Sequence, residues 1–285
     1  DELSRCHKKA RHGERREQKR VCRDTLNILL DMAGSEPDKA SEFLEVLLAA
    51  VTDKHCRQKA LRALGKVAQA SPDRVSACLP SLRAAARNED REVRLTALRA
   101  LGEAEWKHYF GDVGLVPDLP SDMATILDGP CPFWPNKKVR DTHLLVLIPA
   151  TVGGVPFTLN LLGELIQHPS HGGHRTEYRY YHKRVKAQIG AASPPRSYWV
   201  LMTRDVLPGS RSKEYADQKA LVAGYASRES VPYALPSVLE AATAILMHHA
   251  REGERLFGDA PWTYTQCQEK VDKNRYSVFV GGFSS

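Results

Sequence analysis

The sequence predicts a multidomain protein in which an all-α helical repeat region precedes a mixed α/β or α+β domain. Three observations carry that expectation. Ala60-Leu61-Arg62-Ala63-Leu64-Gly65 recurs as Ala97-Leu98-Arg99-Ala100-Leu101-Gly102, and Asp53 and Asp90 keep the same 37-residue offset, so a structural unit is repeated. Beyond residue 106 the helical spacing of apolar residues gives way to short apolar runs that alternate with helical patterns. Between the two lies Gly129-Pro130-Cys131-Pro132-Phe133-Trp134-Pro135, too rich in proline for a helix or a central strand. A length of 285 residues suits two domains of ordinary size. The boundaries expected are 1–106 for the repeats with a basic first helix, 107–135 for a Pro/Gly-rich linker and docking segment, and 136–285 for the second domain.

Within the first region a looser echo at an offset of 35 sets Pro37, Ser41, Leu44 and Leu47 against Pro72, Ser76, Leu79 and Leu82. A period of this size is that of a helical hairpin. Apolar residues three and four apart, such as Leu61, Leu64 and Val67, form one stripe, and alanines let neighbouring helices approach closely. Helices are expected near 16–33, 37–51, 54–69, 73–87 and 91–105. The pattern resembles HEAT repeats of the short bacterial kind, D-x-x-V-R-x-x-A-x-x-A-L-G, matched by Asp90, Val93, Arg94, Ala97, Ala100, Leu101 and Gly102; the copy opening at Asp53 departs from it with Cys56 and Arg57. Such hairpins stack into a solenoid with extended binding surfaces. With fewer than three full units, the array is expected to dock on the domain that follows or to extend upstream.

In the second domain His143 to Ile148 reads as a buried strand and Gly153-Gly154 as a tight turn. Thr158 stands as an N-cap before an apolar helix through Ile166. A strand is expected from Tyr198 to Val206, helices ending near Ser227 and spanning 236–252, and closing strands at 262–267 and 276–280. The segments CPFWPNKKVRDTHLLVLIPATVGGVPFTLNLLGELI, SYWVLMTRDVLPGSRSKEYADQKALV and LEAATAILMHHAREGERL, with PWTYTQCQ and VGGFSS, resemble an uncharacterised C-terminal module of multidomain proteins from the chlamydial group of intracellular bacteria. The resemblance implies a module that follows interaction repeats, as in a receptor or effector. It implies no active site.

Composition narrows the function classes. Hydrophobic residues at 42% and charged residues at 26% fit a soluble globular chain. Apolar runs such as 144–150 are far short of the roughly 20 residues that span a bilayer. Cytoplasmic residence is expected, in a bacterium or in a host cytosol, without membrane association. Cys6, Cys22, Cys56, Cys78, Cys131 and Cys267 are scattered, which suits reduced thiols. Of 41 basic and 34 acidic residues, 21 and 17 precede Trp106, so neither half carries the net charge of +7 alone. Only the first two dozen residues, from Arg5 to Arg23, concentrate it into a basic patch.

Several constellations could carry chemistry. Cys131 or Cys267 with His143, His248 or His249, oriented by Asp141 or Asp205, supplies the residue types of a thiol enzyme. Gly209, Ser210, Arg211, Ser212 and Lys213 stand where a strand leads into a helix, a place suited to a phosphate or carboxylate; the spacing is neither a Walker loop nor a dinucleotide fingerprint. His168, His171 and His174 recur every third residue and could meet one metal ion, without the spacing of any strong zinc signature. The run from Arg179 to Lys186 interleaves tyrosines with cations, as single-strand nucleic-acid surfaces do. No cofactor is specified. The expected function is a protein-binding scaffold whose repeats capture a protein partner while the second domain senses a ligand or relays the capture. The alternatives are an enzyme with a solenoid-selected substrate, either a thiol hydrolase or a phosphate-handling activity, and a basic nucleic-acid adaptor.

Overall fold

The structure, a computed structural model, describes residues 24–33, 35, 42–53, 55–70, 72–177, 182–227, 232–257 and 263–281. The basic segment 1–23 lies outside the described residues, as do the starts of the helices expected at 16 and 37 and part of the run 179–186. The chain divides into two compact units, 1–108 and 109–285.

The first unit is helical throughout its described length. Its helices cover 24–33, Leu44–Ala50, Arg57–Ala70, Pro72–Ala85 and Arg91–Tyr109, the last ending one residue past the division. Leucines and alanines at helical spacing fill one continuous core, from Leu26 and Leu29 through Leu61, Leu64, Val75 and Leu82 to Ala97 and Ala104. The conserved chemistry of the repeat lies at its helix starts. Asp90 accepts from the backbone N–H groups of Glu92 and Val93 at 3.0 and 3.2 Å, capping the helix that follows. Arg94 is buried and turns back to donate to the carbonyls of Asn88 and Glu89, six and five residues earlier, at 2.8 and 3.3 Å. Arg57 does the same one repeat before, donating to the carbonyls of Val51 and Thr52, again six and five residues earlier, at 2.7 and 3.1 Å. Asp53 meanwhile accepts from the N–H of His55. The copy that departs from the sequence pattern therefore keeps its mechanics: Cys56 is buried in the place of Val93, and Arg57 stands for Arg94.

Small residues set the helix spacing. A Cβ on Gly65 would lie 3.0 Å from Cβ of Ala100, so the helices Arg57–Ala70 and Arg91–Tyr109 approach there with no room for a side chain. Ala100 is the repeat counterpart of Ala63, and at the 35-residue offset Ala63 is the counterpart of Ile28.

The second unit is α+β. Its described strands form three separate antiparallel pairs: β1 (His143–Ile148) with β4 (Tyr198–Thr203), β2 (Thr151–Val152) with β3 (Val155–Pro156), and β5 (Tyr264–Val271) with β6 (Tyr276–Gly281). Gly153 and Gly154, both at positive φ, make the two-residue turn between β2 and β3 that the sequence predicts. Thr158 caps the helix Leu159–Leu165, its side chain accepting from the N–H of Leu161 at 3.1 Å. The strand expected to reach Val206 ends at Thr203, because Asp205 folds its carboxylate onto the N–H of Val206 and turns the chain. The closing strands run longer than expected, to Val271 and Gly281.

One helix organises the second unit. Val238–Glu252 buries ten side chains and packs against β1, β4, β5, β6 and the helix Leu159–Leu165. A reciprocal pair of bonds between Ser237 and Glu240 starts it, and Gly253, left-handed at φ 73°, ends it. The stretch expected as a linker and docking segment is largely structured core of this unit. It contains the helix Met123–Asp128; Val113, Val116, Met123, Leu127, Cys131 and Phe133 are buried; and the indole of Trp199 donates to the carbonyl of Pro117 at 3.0 Å. The prolines there end helices without unpacking the chain.

Candidate functional site

The most chemically suggestive cluster in the second unit surrounds His143, the first residue of β1. The loop that carries Cys131 and Phe133 is closed by backbone bonds from Cys131 to Lys137 at 2.7 Å and from Val139 to Gly129 at 3.1 Å. That closure places the buried Phe133 ring 4.6 Å from the ring of Tyr225, 4.8 Å from that of Tyr233 and 5.9 Å from that of His143. The hydroxyl of Thr142 lies 3.2 Å from the carbonyls of both Lys138 and Val139 and 2.9 Å from His143 Nδ1. The hydroxyl and Nδ1 share a hydrogen bond whose direction follows the tautomer of the imidazole. Nε2 of His143 is buried without a hydrogen-bond partner among the described residues. Desolvation, opposed by a bond at Val139 and helped by the charge of Arg204, lowers the pKa of this imidazole to about 4. His143 is neutral at physiological pH and held by Thr142, with no carboxylate bonded to it among the described residues.

Neither cysteine is paired with an imidazole among the described residues. Cys131 is buried, and no bond links its sulfur to His143. Cys267 is fully buried and its thiol lies 3.6 Å from the carbonyl of Thr265. Burial, then the carboxylates of Glu269 and Glu240, push that thiol strongly upward, the reverse of what activates a nucleophile. Asp141 accepts from the N–H of Lys138, and Asp205 from that of Val206, so neither orients a histidine. His248 lies 3.2 Å through Nδ1 from the guanidinium of Arg251, and His249 Nε2 lies 3.4 Å from the carbonyl of Arg175. The residue types of a thiol enzyme are present; their geometry is that of separate structural contacts.

The loop of Gly209, Ser210, Arg211 and Lys213 is folded on itself. Ser210 donates from both N–H and hydroxyl to the carbonyl of Leu207, Gln218 donates to the carbonyl of Ser210, and Arg211 donates to the hydroxyl of Thr263 at 3.0 Å. The helix that follows begins at Tyr215, with Glu214 at its N-cap and Asp217 in its first turn. Both residues are acidic, and their negative charge at the start of that helix disfavours an anion there. His168, His171 and His174 do not gather: among the described residues no group of three or more His, Cys, Asp or Glu side chains is placed to hold a metal ion. His174 is committed elsewhere. Its ring packs on Gly253, where a Cβ would come within 2.8 Å of it, and its N–H donates to the carbonyl of Ala250.

The described part of the aromatic and basic run has a defined place. His182 caps the helix Lys183–Gln188 by accepting from the N–H of Arg184, and that helix packs against β5. Sequence reasoning missed what it meets there, the turn between β5 and β6, since the two segments stand some 84 residues apart in the bond between Gln188 and Asp272.

Among the described residues no helix is long and apolar enough to cross a membrane. Comparison with known proteins gives one positive result: residues 54–104 match the family described as HEAT-like repeat. No curated protein and no solved structure matches the chain. The match takes in Arg57, Asp90 and Arg94 and begins one residue after Asp53, so this stretch of the first unit is similar to HEAT-like repeats.

Proposed function

We propose that the first unit is a protein-binding scaffold, a short HEAT-like solenoid that captures a protein partner, and that the second unit senses a ligand or relays the capture. HEAT-like repeats commonly serve as interaction scaffolds, because stacked hairpins present long surfaces at little cost in ordering. The observation that carries the reading is a difference between repeats. Ala63 and Cys78 are fully buried, whereas their counterparts at the 35-residue offset, Ile28 and Phe43, are 61% and 41% exposed. Leu26, Leu29, Leu44 and Leu47, counterparts of Leu61, Leu64, Leu79 and Leu82, remain buried. The first hairpin thus keeps its own core and leaves apolar the arc by which a later repeat meets its predecessor, as Ala100 meets Gly65. Large apolar side chains left in that arc suit a protein partner.

The test is affinity capture with the full chain, followed by the same capture with Ile28→Asp and Phe43→Asp together. Loss of a specific partner, with the far-UV spectrum and melting unchanged, is expected. Retention of every partner by the double variant, or its loss in Cys131→Ala or Cys267→Ala with folding intact, would remove the scaffold reading.

A further inference from the structure

We infer that the turn joining β5 and β6, together with the helix Lys183–Gln188, is a binding surface for single-stranded nucleic acid. Three exposed large aromatic side chains fall on this one hairpin: Tyr264 and Phe279, each more than half exposed, and Tyr276. Gln266 pairs with Phe279 and Tyr264 with Gly281, so Tyr264 and Phe279 stand on the same face, diagonally across the two strands. Tyr276 lies at the turn end, on the face of β6 opposite to Phe279, with the guanidinium of Arg184 5.3 Å from its ring centroid and that of Arg275 5.5 Å, so the cations of the helix and turn gather on the side of Tyr276. Exposed rings beside cations are what unpaired bases and their phosphates require, stacking from one and charge neutralisation from the other.

Charge favours the same ligand. The helix and the hairpin carry Lys183, Arg184, Lys186, Lys270, Lys273 and Arg275 against two acids, Glu269 and Asp272. Both acids are engaged. Glu269 is half-buried and accepts from the N–H of Val238 at 2.9 Å, while Asp272 binds Arg184 at 2.9 Å and exchanges two hydrogen bonds with Gln188. Those bonds also fix the helix to the turn, so its cations are held in register with the rings. Lys270 is turned away onto Tyr215, 4.3 Å from the ring, and is left out of the surface. In the turn Asp272, Lys273 and Asn274 all have positive φ, a conformation uncommon for Lys.

An anionic membrane also attracts aromatic and basic residues, but it takes rings into the interface ahead of the cations. Here cations lie over the ring of Tyr276 and would have to enter the apolar layer with it. A base stacked in their place, or beside them, carries its own phosphate to the same spot. The surface uses neither the helical repeats nor partner capture, so it stands or falls apart from the scaffold reading.

The experiment is fluorescence anisotropy of labelled oligo-U and oligo-dT of about 12 nucleotides with the full chain, repeated across salt concentrations. Binding is expected, weakening with salt. Tyr276→Ala should weaken it about tenfold, the scale of one lost base stack, while Phe279→Ala, on the other face of the hairpin, should leave it unchanged. Lys273→Ala with Arg275→Ala should reduce the slope of log affinity against log salt by about 1.4, two phosphates at about 0.7 each. Should Tyr276→Ala melt early, the exposed pair Lys183→Glu and Lys186→Glu replaces it, with the same loss expected. No binding at low salt, equal binding of a duplex of the same length, binding that all these variants leave unchanged, or preferential binding of phosphatidylserine vesicles that Tyr276→Ala abolishes would each overturn the inference.

Discussion

The two units solve the same problem, holding polar backbone groups inside a packed chain, in opposite ways. The helical unit uses one device twice: an Asp that caps a helix and an Arg that returns to carbonyls six and five residues behind it, at Asp53 with Arg57 and at Asp90 with Arg94. The second unit repeats nothing. Its central helix is closed by a Ser and Glu pair at one end and by a glycine under a histidine ring at the other, and its strand β1 begins at an imidazole fixed by a single threonine. A repeated device spreads its contribution over several sites, whereas a single one concentrates it. Substitutions should therefore be graded differently in the two units.

The largest effect is expected at His143 and should appear as a pH dependence. The folded chain holds this imidazole near pKa 4, while an unfolded chain protonates it near 6.5. The contribution is complete above about pH 6.5, declines as pH falls because the unfolded state takes up a proton that the fold refuses, and is lost by about pH 4. The whole loss is about 3 kcal/mol, an order-of-magnitude figure for a buried group. Urea denaturation between pH 7 and 4 checks it. His143→Phe, which removes the titrating group but keeps an aromatic ring against Phe133, should flatten that part of the profile. If the slope survives in the variant, the acid sensitivity belongs to another group and the contrast between the units loses its sharpest case.

Legibility followed the same division. The hexapeptide repeat announced both the helical period and the positions of Ala100 and Gly65, because close packing of identical hairpins demands the same small residues at the same offset. In the second unit, local signals read well: Thr158 as a cap, the glycine pair as a turn, and 143–148 as a strand. What could not be read was pairing. β1 finds β4 across the 49 residues between Ile148 and Tyr198, and nothing in either strand names its partner. For the same reason the proline-rich stretch looked like a linker. Val113, Val116 and Phe133 become core only when segments distant in sequence close over them. The candidate chemistry fared likewise: the types Cys, His and Asp were visible, but Thr142 rather than a carboxylate holds the imidazole, and no periodicity reveals that.

Arginine replacements sharpen the comparison within the repeat. Arg94→Ala removes a buried, charged donor from two loop carbonyls and should cost about 2 kcal/mol. Arg57 makes the equivalent bonds but is only half-buried, so water can replace it, and Arg57→Ala should cost about 1 kcal/mol. Arg94→Lys should not restore the loss, because an ammonium lacks the planar fork. Chemical denaturation of the three variants measures the order. Equal losses at both positions would mean that burial does not set the worth of this device.

Effects of opposite sign separate two glycines of the second unit. Gly253 is left-handed, and a Cβ there would strike the His174 ring at 2.8 Å, so Gly253→Ala meets both backbone strain and a collision. A cost of about 1–2 kcal/mol is expected. Gly224 lies inside the helix Tyr215–Ala226 with nothing within 4 Å of an added Cβ. There alanine restricts the unfolded chain and keeps the helix, so Gly224→Ala should stabilise by about 0.5–1 kcal/mol. Thermal melting of the pair tests both signs at once. His174→Ala added to Gly253→Ala divides the first cost, since it removes the collision and leaves the strain: a full recovery would assign the role of Gly253 to making room for the ring, and no recovery would assign it to ending the helix.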